Sequence, residues 1–397
     1  MSAPLPTLLR TRDEASKVVS IELFFDLVYV FAITQLSHYL LEHLTPLGAL
    51  QTATLWFAVW LGWQYTAWVT NWFNPDHPSM RLMLMALMGV ALLVSAAIPD
   101  AFGAQGLLFA CSYAAIQVGR TLFVLAGLGG GHALAPNFQR MLCWLLVSAA
   151  LWIAGGLSEG SARLALWLAA VACEYFSPMA GFPVPGLGRS RTSDWTIDGG
   201  HLAERCQLFV IIALGESVLA TGASFAKADH PGLGLWLALV ISFIGCVAMW
   251  WMYFDISSSD AAHVIEHSAD PGRLGAYFHY LHVILIAGVI VCAVADDLVV
   301  AHPLDPVKLK YAAVVVGGPL IYLLGNAFFK RVVYGRFPRS HGIGMLALLA
   351  LLPLMLIVGL NLVAAGTLTT VVMVAVTAWE ALSRRRSRHG AHASRAA

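Results

Sequence analysis

Charge is what this sequence has least of. Only 11% of its 397 residues are Asp, Glu, Lys or Arg, while 59% are hydrophobic and the mean hydropathy is +0.75. A soluble domain carries about 25% charged residues, so an ordinary water-facing surface cannot be built from this chain. The composition predicts a polytopic membrane protein whose main partner is the lipid bilayer. The net charge of +1 gives no excess of either sign, which excludes a strongly basic or acidic binding surface and with it nucleic acid. A cleavable signal peptide is not expected, because Pro4, Pro6, Arg10, Arg12, Asp13 and Glu14 precede the first apolar run. The six cysteines (Cys111, Cys143, Cys173, Cys206, Cys246 and Cys292) fall in apolar runs without C-x-x-C spacing. That excludes a disulfide framework and a zinc knuckle, and the thiols read as small hydrophobes. There is no P-loop, dinucleotide fingerprint, nucleophile elbow or H-E-x-x-H helix. No cofactor is expected.

What is present in abundance is long hydrophobic runs. A membrane span needs about 20 apolar residues. Runs of that kind lie near 20–43, 48–72, 81–98, 103–128, 138–157, 162–179, 200–222, 232–254, 274–300, 309–329, 342–363 and 365–382. Short alternating strands, the mark of a transmembrane barrel, are missing. The fold class predicted is therefore all-α, with about twelve transmembrane helices.

Lysine and arginine set the expected orientation. With the N-terminus cytoplasmic, Arg10, Arg12, Lys17, Arg81, Arg140, Arg189, Arg191, Arg273, Lys330, Arg331, Arg336, Arg339, Arg384, Arg385, Arg386, Arg388 and Arg395 fall inside. Arg163, Lys227, Lys308 and Lys310 fall outside, and Arg120 and Arg205 lie within spans. Seventeen against four places both termini in the cytoplasm by the positive-inside rule. The membrane predicted is one with both termini on its cytoplasmic side. Arg384 to Arg388 read as a juxtamembrane anchor for anionic lipid.

The division predicted is a first six-helix half over 1–180, a Pro/Gly-rich cytoplasmic linker over 181–191, a second six-helix half over 192–383 and a basic tail over 384–397. Glu22 opens the first span and Glu204 the seventh, 182 residues later. Trp72-Phe73-Asn74 closes the second span and Tyr253-Phe254-Asp255 the eighth, 181 residues later. Matching offsets point to a duplicated unit. With six spans per half the two halves are parallel, the arrangement of transporters whose binding site lies between halves.

The charges that remain inside the spans are the candidates for function, because ionised groups in a bilayer are costly and mark ion, proton or substrate paths. Glu22 and Asp26 are one turn apart on the first span and share a face. The seventh span carries His201, Glu204, Arg205 and Glu216. Arg205 and Glu216 are eleven residues apart, close to three turns, and Gly215 is expected to let another backbone approach. The ninth span adds His279 and His282 on one face, and the sixth adds Glu174 near its inner end. Glu22, Asp26, Glu174, His201, Glu204, Arg205, His279 and His282 fall at matching depth. A structural alternative stands beside this reading: such residues snorkel to headgroups or pair locally, as Glu22 would with Arg205. Gln35, His38, Asp296 and Asp297 lie near outer ends and are expected to face water. The tryptophans, among them Trp56, Trp60, Trp63, Trp68 and Trp72, read as interface belts and packing.

The run from Glu22-Leu23-Phe24-Phe25-Asp26 to Gln35-Leu36-Ser37 resembles the signature of the bacterial low temperature requirement A family. The stretch from Glu204-Arg205 to Leu214-Gly215-Glu216-Ser217, and Tyr277 to His282, resemble its second and third motifs. Glu22, Asp26, Glu204, Arg205, Glu216 and His282 fall on the characteristic positions. The resemblance implies a multi-pass protein of the bacterial inner membrane, named from a cold-growth phenotype; it implies an architecture and no particular substrate.

The residues point to a proton-coupled secondary transporter of a small solute, an anion being one candidate. Arg205 would bind an anionic group or hold Glu216 ionised, and Asp26 or Glu216 would carry the proton. The alternative is a membrane-embedded metal-binding protein or enzyme, with His201, Glu204, His279 and His282 as nitrogen and oxygen ligands. A passive scaffold or sensor fits the intramembrane charges poorly, and the loops are too short for a sensory domain. Assembly into homo-oligomers is left open.

Overall fold

The computed structural model describes residues 8–10, 17–195, 197–254, 264, 268 and 270–396, with the side chains of 271 and 385–396 excepted. Asp255, and the arginines of the tail beyond Arg384, lie outside the described side chains. Among the described residues there are twelve α-helices of 20 residues or more and no named strand. They are α1 (Ser20–Glu42), α2 (Pro46–Trp72), α3 (Pro78–Ala97), α4 (Gly106–Leu128), α5 (Ala135–Leu157), α6 (Gly160–Met179), α7 (Gly199–Ala226), α8 (Leu233–Phe254), α9 (Pro271–Ala301), α10 (Leu309–Tyr334), α11 (Arg339–Val358) and α12 (Leu362–Ala396).

The chain follows from what a bilayer demands. Every backbone N–H and C=O must be paired within the segment, which a helix does by itself. Local chemistry sets several ends. Thr45 caps α2 by accepting from the Gly48 N–H at 3.0 Å, with Pro46 in the first turn, where it gives up no needed donor. Helices α10 and α11 stop at Gly335 and Gly359, at φ of 72° and 70°, a left-handed conformation that glycine adopts without Cβ strain.

Ten of the helices are long and apolar enough to cross a membrane. The two that fall short are α2 and α6. Helix α2 shows why. Nineteen of its 27 residues are buried, including Gln64, Tyr65, Thr66, Thr70 and Asn71, and it packs against α1, α4 and α6. A helix shielded by its neighbours can carry polar groups that lipid would not accept. The protein is a multi-pass membrane protein whose surface leaves large apolar side chains such as Leu82, Leu219 and Ile357 exposed.

The chain divides into two compact units. The first comprises Met1–Phe209 and Ile265–His279, the second Val210–Val264 and Tyr280–Ala397. The Pro/Gly-rich segment 181–191 belongs to the first unit. There α1 packs on α2 and α3, α4 on α3 and α5, and α5 on α6. In the second unit α8 packs on α12, and α10, α11 and α12 pack on one another. Glycines fix the contact of α9 with α10: a Cβ at Gly318 would lie 2.7 Å from the Cys292 nitrogen, and one at Gly325 2.6 Å from the Leu285 nitrogen. Gly288 stands as tightly against the Tyr322 backbone. Close backbone approach through small residues is how membrane helices gain packing energy. Gly215, expected to serve such an approach, does not: a Cβ there would meet nothing within 4 Å.

Candidate functional site

The charged centre of the first unit is built from α1, α2, the start of α7 and the segment before α1. Glu22 and Asp26 project from one face of α1, and Arg205 reaches both. Its Nη1 donates to Glu22 Oε1 at 2.9 Å and its Nη2 to Asp26 Oδ1 at 2.5 Å. All three residues are fully buried. Trp63 of α2 donates from Nε1 to the same Asp26 oxygen at 2.7 Å, and the Arg205 guanidinium lies 5.7 Å from the Trp63 ring. That geometry adds a cation–π attraction to two charge-assisted hydrogen bonds.

Around Glu22 the set widens. His201 Nε2 lies 2.9 Å from Glu22 Oε1, and the Val19 N–H donates to Oε2 at 3.1 Å. Asn71 Nδ2 sits 3.2 Å from His201 Nδ1, while the Asn71 side chain is held by the backbone of Asp198. With Asn71 donating, Nδ1 accepts and the ring proton on Nε2 points at Glu22. Arg10 closes the group: its Nη2 is 3.4 Å from Glu22 Oε2, and its Nε donates to the Thr70 carbonyl at 2.8 Å. Arg10 lies before the first span, and burial pulls its pKa below the ordinary arginine value while Glu22 opposes the shift. The formal charges of Arg10, Arg205, Glu22 and Asp26 sum to zero, which is what makes this burial tolerable.

Several polar atoms beside this centre have no partner among the described residues. They are Asp26 Oδ2, Arg205 Nε, Tyr29 Oη, Trp60 Nε1 and Gln64 Oε1. Buried polar atoms are nearly always paired, and an unpaired one costs about 1–3 kcal/mol. Five on α1, α2 and α7 therefore mark a place where water or a solute is expected to bond.

A second polar chain runs through the same unit. Glu174 accepts from Tyr113 Oη at 2.5 Å and Trp152 Nε1 at 3.0 Å, and also from Ser148 Oγ. Gln117 Nε2 donates to Tyr113 Oη at 2.7 Å, and its carbonyl accepts from Arg120 Nη2. Arg120 also donates to Thr66 Oγ1 at 3.2 Å and the Gly62 carbonyl at 3.3 Å. A Cβ at Gly62 would lie 3.3 Å from Tyr29 Oη and 3.6 Å from the Tyr113 ring, so Gly62 is the point where this chain meets α1. None of the ion pairs among the described residues involves Arg120 or Glu174; hydrogen bonds through the neutral side chains of Gln117 and Tyr113 join them instead.

The residues expected from the sequence thus separate. Glu22, Asp26, His201 and Arg205 form one hydrogen-bonded group. Glu204 does not join it; its carboxylate accepts from the Val18 N–H at 3.2 Å and ties α7 to the segment before α1. Glu174 anchors the second chain. His279 is buried among Trp60, Trp63 and Trp68, with Trp68 Nε1 donating to its Nδ1 at 2.5 Å. Glu216 and His282 belong to the second unit, where both are buried and Tyr253 Oη lies 2.7 Å from His282 Nε2. Among the described residues no group of three or more His, Cys, Asp and Glu is arranged to hold a metal ion. Trp60 and Trp63 belong to the packing rather than to an interface belt; both are fully buried, and Trp63 bonds to the central carboxylate. One expectation is corrected here. Asp296 does not simply face water: it is half-buried and lines a cavity. Arg10, Trp63, Asn71, Tyr113, Gln117 and Arg120 were not among the sequence candidates. Arg120 carried a signal, being an arginine inside a span; the others are neutral groups or lie before the first span.

With the geometry in hand, comparison with known proteins places the chain. The family model described as bacterial low temperature requirement A protein matches residues 17–378. This chain belongs to that family. A relative from Rhizobium meliloti (strain 1021), carried under the name "Uncharacterized protein RA0937", is 38% identical over 388 residues, covering 97% of this chain and 94% of its own. No solved structure matches. As a low temperature requirement A protein, the chain carries Glu22, Asp26, Arg205, Glu216 and His282 inside the matched region.

Proposed function

We propose that this protein is a proton-coupled secondary transporter of a small anionic solute. The proposal includes twelve membrane crossings, both termini in the cytoplasm, and two six-helix halves descended from one unit. The observation that carries it is a guanidinium shared by two carboxylates deep in a helical bundle, with Asp26 Oδ2 and Arg205 Nε left for another partner. Arginine presents a fork of donors that suits carboxylate or phosphate groups. Protonation of Asp26 removes the charge that holds one arm of that fork. Arg205 then has a donor free for the solute, and loss of the proton recaptures it. One buried pair can in this way couple a proton to an anion. Glu216 is the second candidate for the proton, and Glu174, hydrogen-bonded by Tyr113, Ser148 and Trp152, is a third.

The test is uptake of a panel of small carboxylates and phosphates into proteoliposomes holding a trapped pH-sensitive dye. Wild-type protein should accumulate at least one solute when a proton gradient is imposed and should move protons with it. Asp26→Asn or Glu216→Gln should break that coupling in folded protein, and the variant that does so identifies the carrier. Uptake indifferent to the gradient, or coupling intact in both variants, would sink the reading.

A further inference from the structure

The second unit holds a polar cavity that the carboxylate–arginine centre does not use. Helices α8, α9, α10 and α12 enclose a cavity of about 40 Å³ whose polar lining is Asp296, Ser242, Cys292, Thr369 and Thr370. Ser242 also lines a second cavity of about 40 Å³ with Ser217 and Thr221 of α7. Ser217 Oγ donates to Asp296 Oδ2 at 3.4 Å. Ser242 is 4% exposed; its hydroxyl faces the Asp296 carboxylate, and its Oγ makes no hydrogen bond of ordinary geometry among the described residues. Asp296 takes part in none of the ion pairs among the described residues. It is half-buried, so species the size of water reach it.

These facts select a ligand. A carboxylate in a membrane helix without a counter-charge is costly. A carboxylate with hydroxyl groups is a set of hard oxygen donors, suited to hard cations rather than soft metals. Asp297 accepts from Ser224 and is not among the residues that line the cavity, so Asp296 is the one carboxylate there and balances one charge. A space of about 40 Å³ admits one small ion or a few waters. Thr369 Oγ1 donates to the Gly366 carbonyl at 3.0 Å, which leaves its oxygen free to accept a cation. The charged group acting on Asp296 is Asp297, next to it on α9; the others facing it are neutral: Cys292 from its own helix, Cys246 and Met249 from α8, and Val315 and Pro319 from α10.

We infer that the Asp296 cavity is a monovalent-cation site, taking a sodium ion or a proton, with Asp296 as the charged ligand and Ser217, Ser242 and Thr369 as hydroxyl ligands. This site stands whether or not the Asp26 centre transports an anion.

The experiment uses the full chain purified in detergent. Thermal stability is followed as sodium chloride replaces choline chloride at constant ionic strength, at acid, neutral and alkaline pH. A sodium site gives a saturable rise in Tm that weakens toward acid pH, is absent in Asp296→Asn, and needs about tenfold more sodium in Ser242→Ala. A proton site gives no sodium effect; instead, the titration midpoint of unbuffered protein that Asp296→Asn identifies by its loss is displaced in Ser242→Ala. Should Asp296→Asn not fold, Ser242→Ala decides both arms. Sodium and choline indistinguishable at every pH, together with a titration curve that Ser242→Ala leaves unmoved, would overturn the inference.

Discussion

Arg205 is the residue on which the first unit's centre depends. Removing one partner of a buried ion pair leaves the other as an uncompensated charge, at a cost of about 3–5 kcal/mol. Arg205→Ala strands Asp26 and leaves Glu22 with Arg10 as its remaining cation, so it should destabilise by about that amount in denaturation of detergent-solubilised protein. The triple change Glu22→Gln, Asp26→Asn, Arg205→Met should be less harmful than Arg205→Ala, because the one charge left is Arg10, which is 14% exposed and keeps its bond to the Thr70 carbonyl. A triple variant as unstable as the single one would show that the ion pairs are not what Arg205 supplies. His201 and Arg10 act on the same carboxylate from its other side. Glu204 differs from its neighbour in kind: it accepts from backbone and holds the entry to α1.

At the scale of the element, two helices are specified by opposite means. Helix α2 is polar because its neighbours shield it, and its tryptophans serve as donors and ring walls. Helix α9 is apolar, and it approaches α10 through glycines whose missing Cβ atoms are the contact itself. Gly318→Val would drive a side chain into the Cys292 backbone, and overpacking of this kind costs about 1–3 kcal/mol or more. Gly215→Ala meets no atom and removes a flexible residue from a helix, so it should be neutral or stabilising by about 0.5–1 kcal/mol. Tm of the two variants in the same detergent checks the contrast; equal effects would refute the packing argument.

At the scale of the whole molecule, the bias of lysine and arginine makes topology the measurable property. With both termini cytoplasmic, a fluorescent protein fused after Arg384 should be bright and a periplasm-dependent phosphatase at the same point inactive. The reporters should exchange behaviour when moved to the loop at Lys308–Lys310. The opposite pattern would reverse the assignment of every loop.

The sequence by itself determined the membrane class, the positions of the helices and the family, because composition and the length of apolar runs are local properties set by the thickness of a bilayer. It also carried the expense of Glu22, Asp26 and Arg205 on its face, since charge inside a span needs no structure to be noticed. It did not say which charges meet. Glu22 and Arg205 are 183 residues apart, and Asp26 and Trp63 are 37 apart. Pairing over such distances is decided by which helix faces pack, and no spacing rule encodes that. For the same reason Glu174 and Arg120 proved to be linked through Tyr113 and Gln117, and Asp296 proved to line a cavity rather than simply face water. A neutral tyrosine, glutamine or serine looks ordinary in a sequence. It gains meaning only when folding removes water and leaves a protein group as its partner.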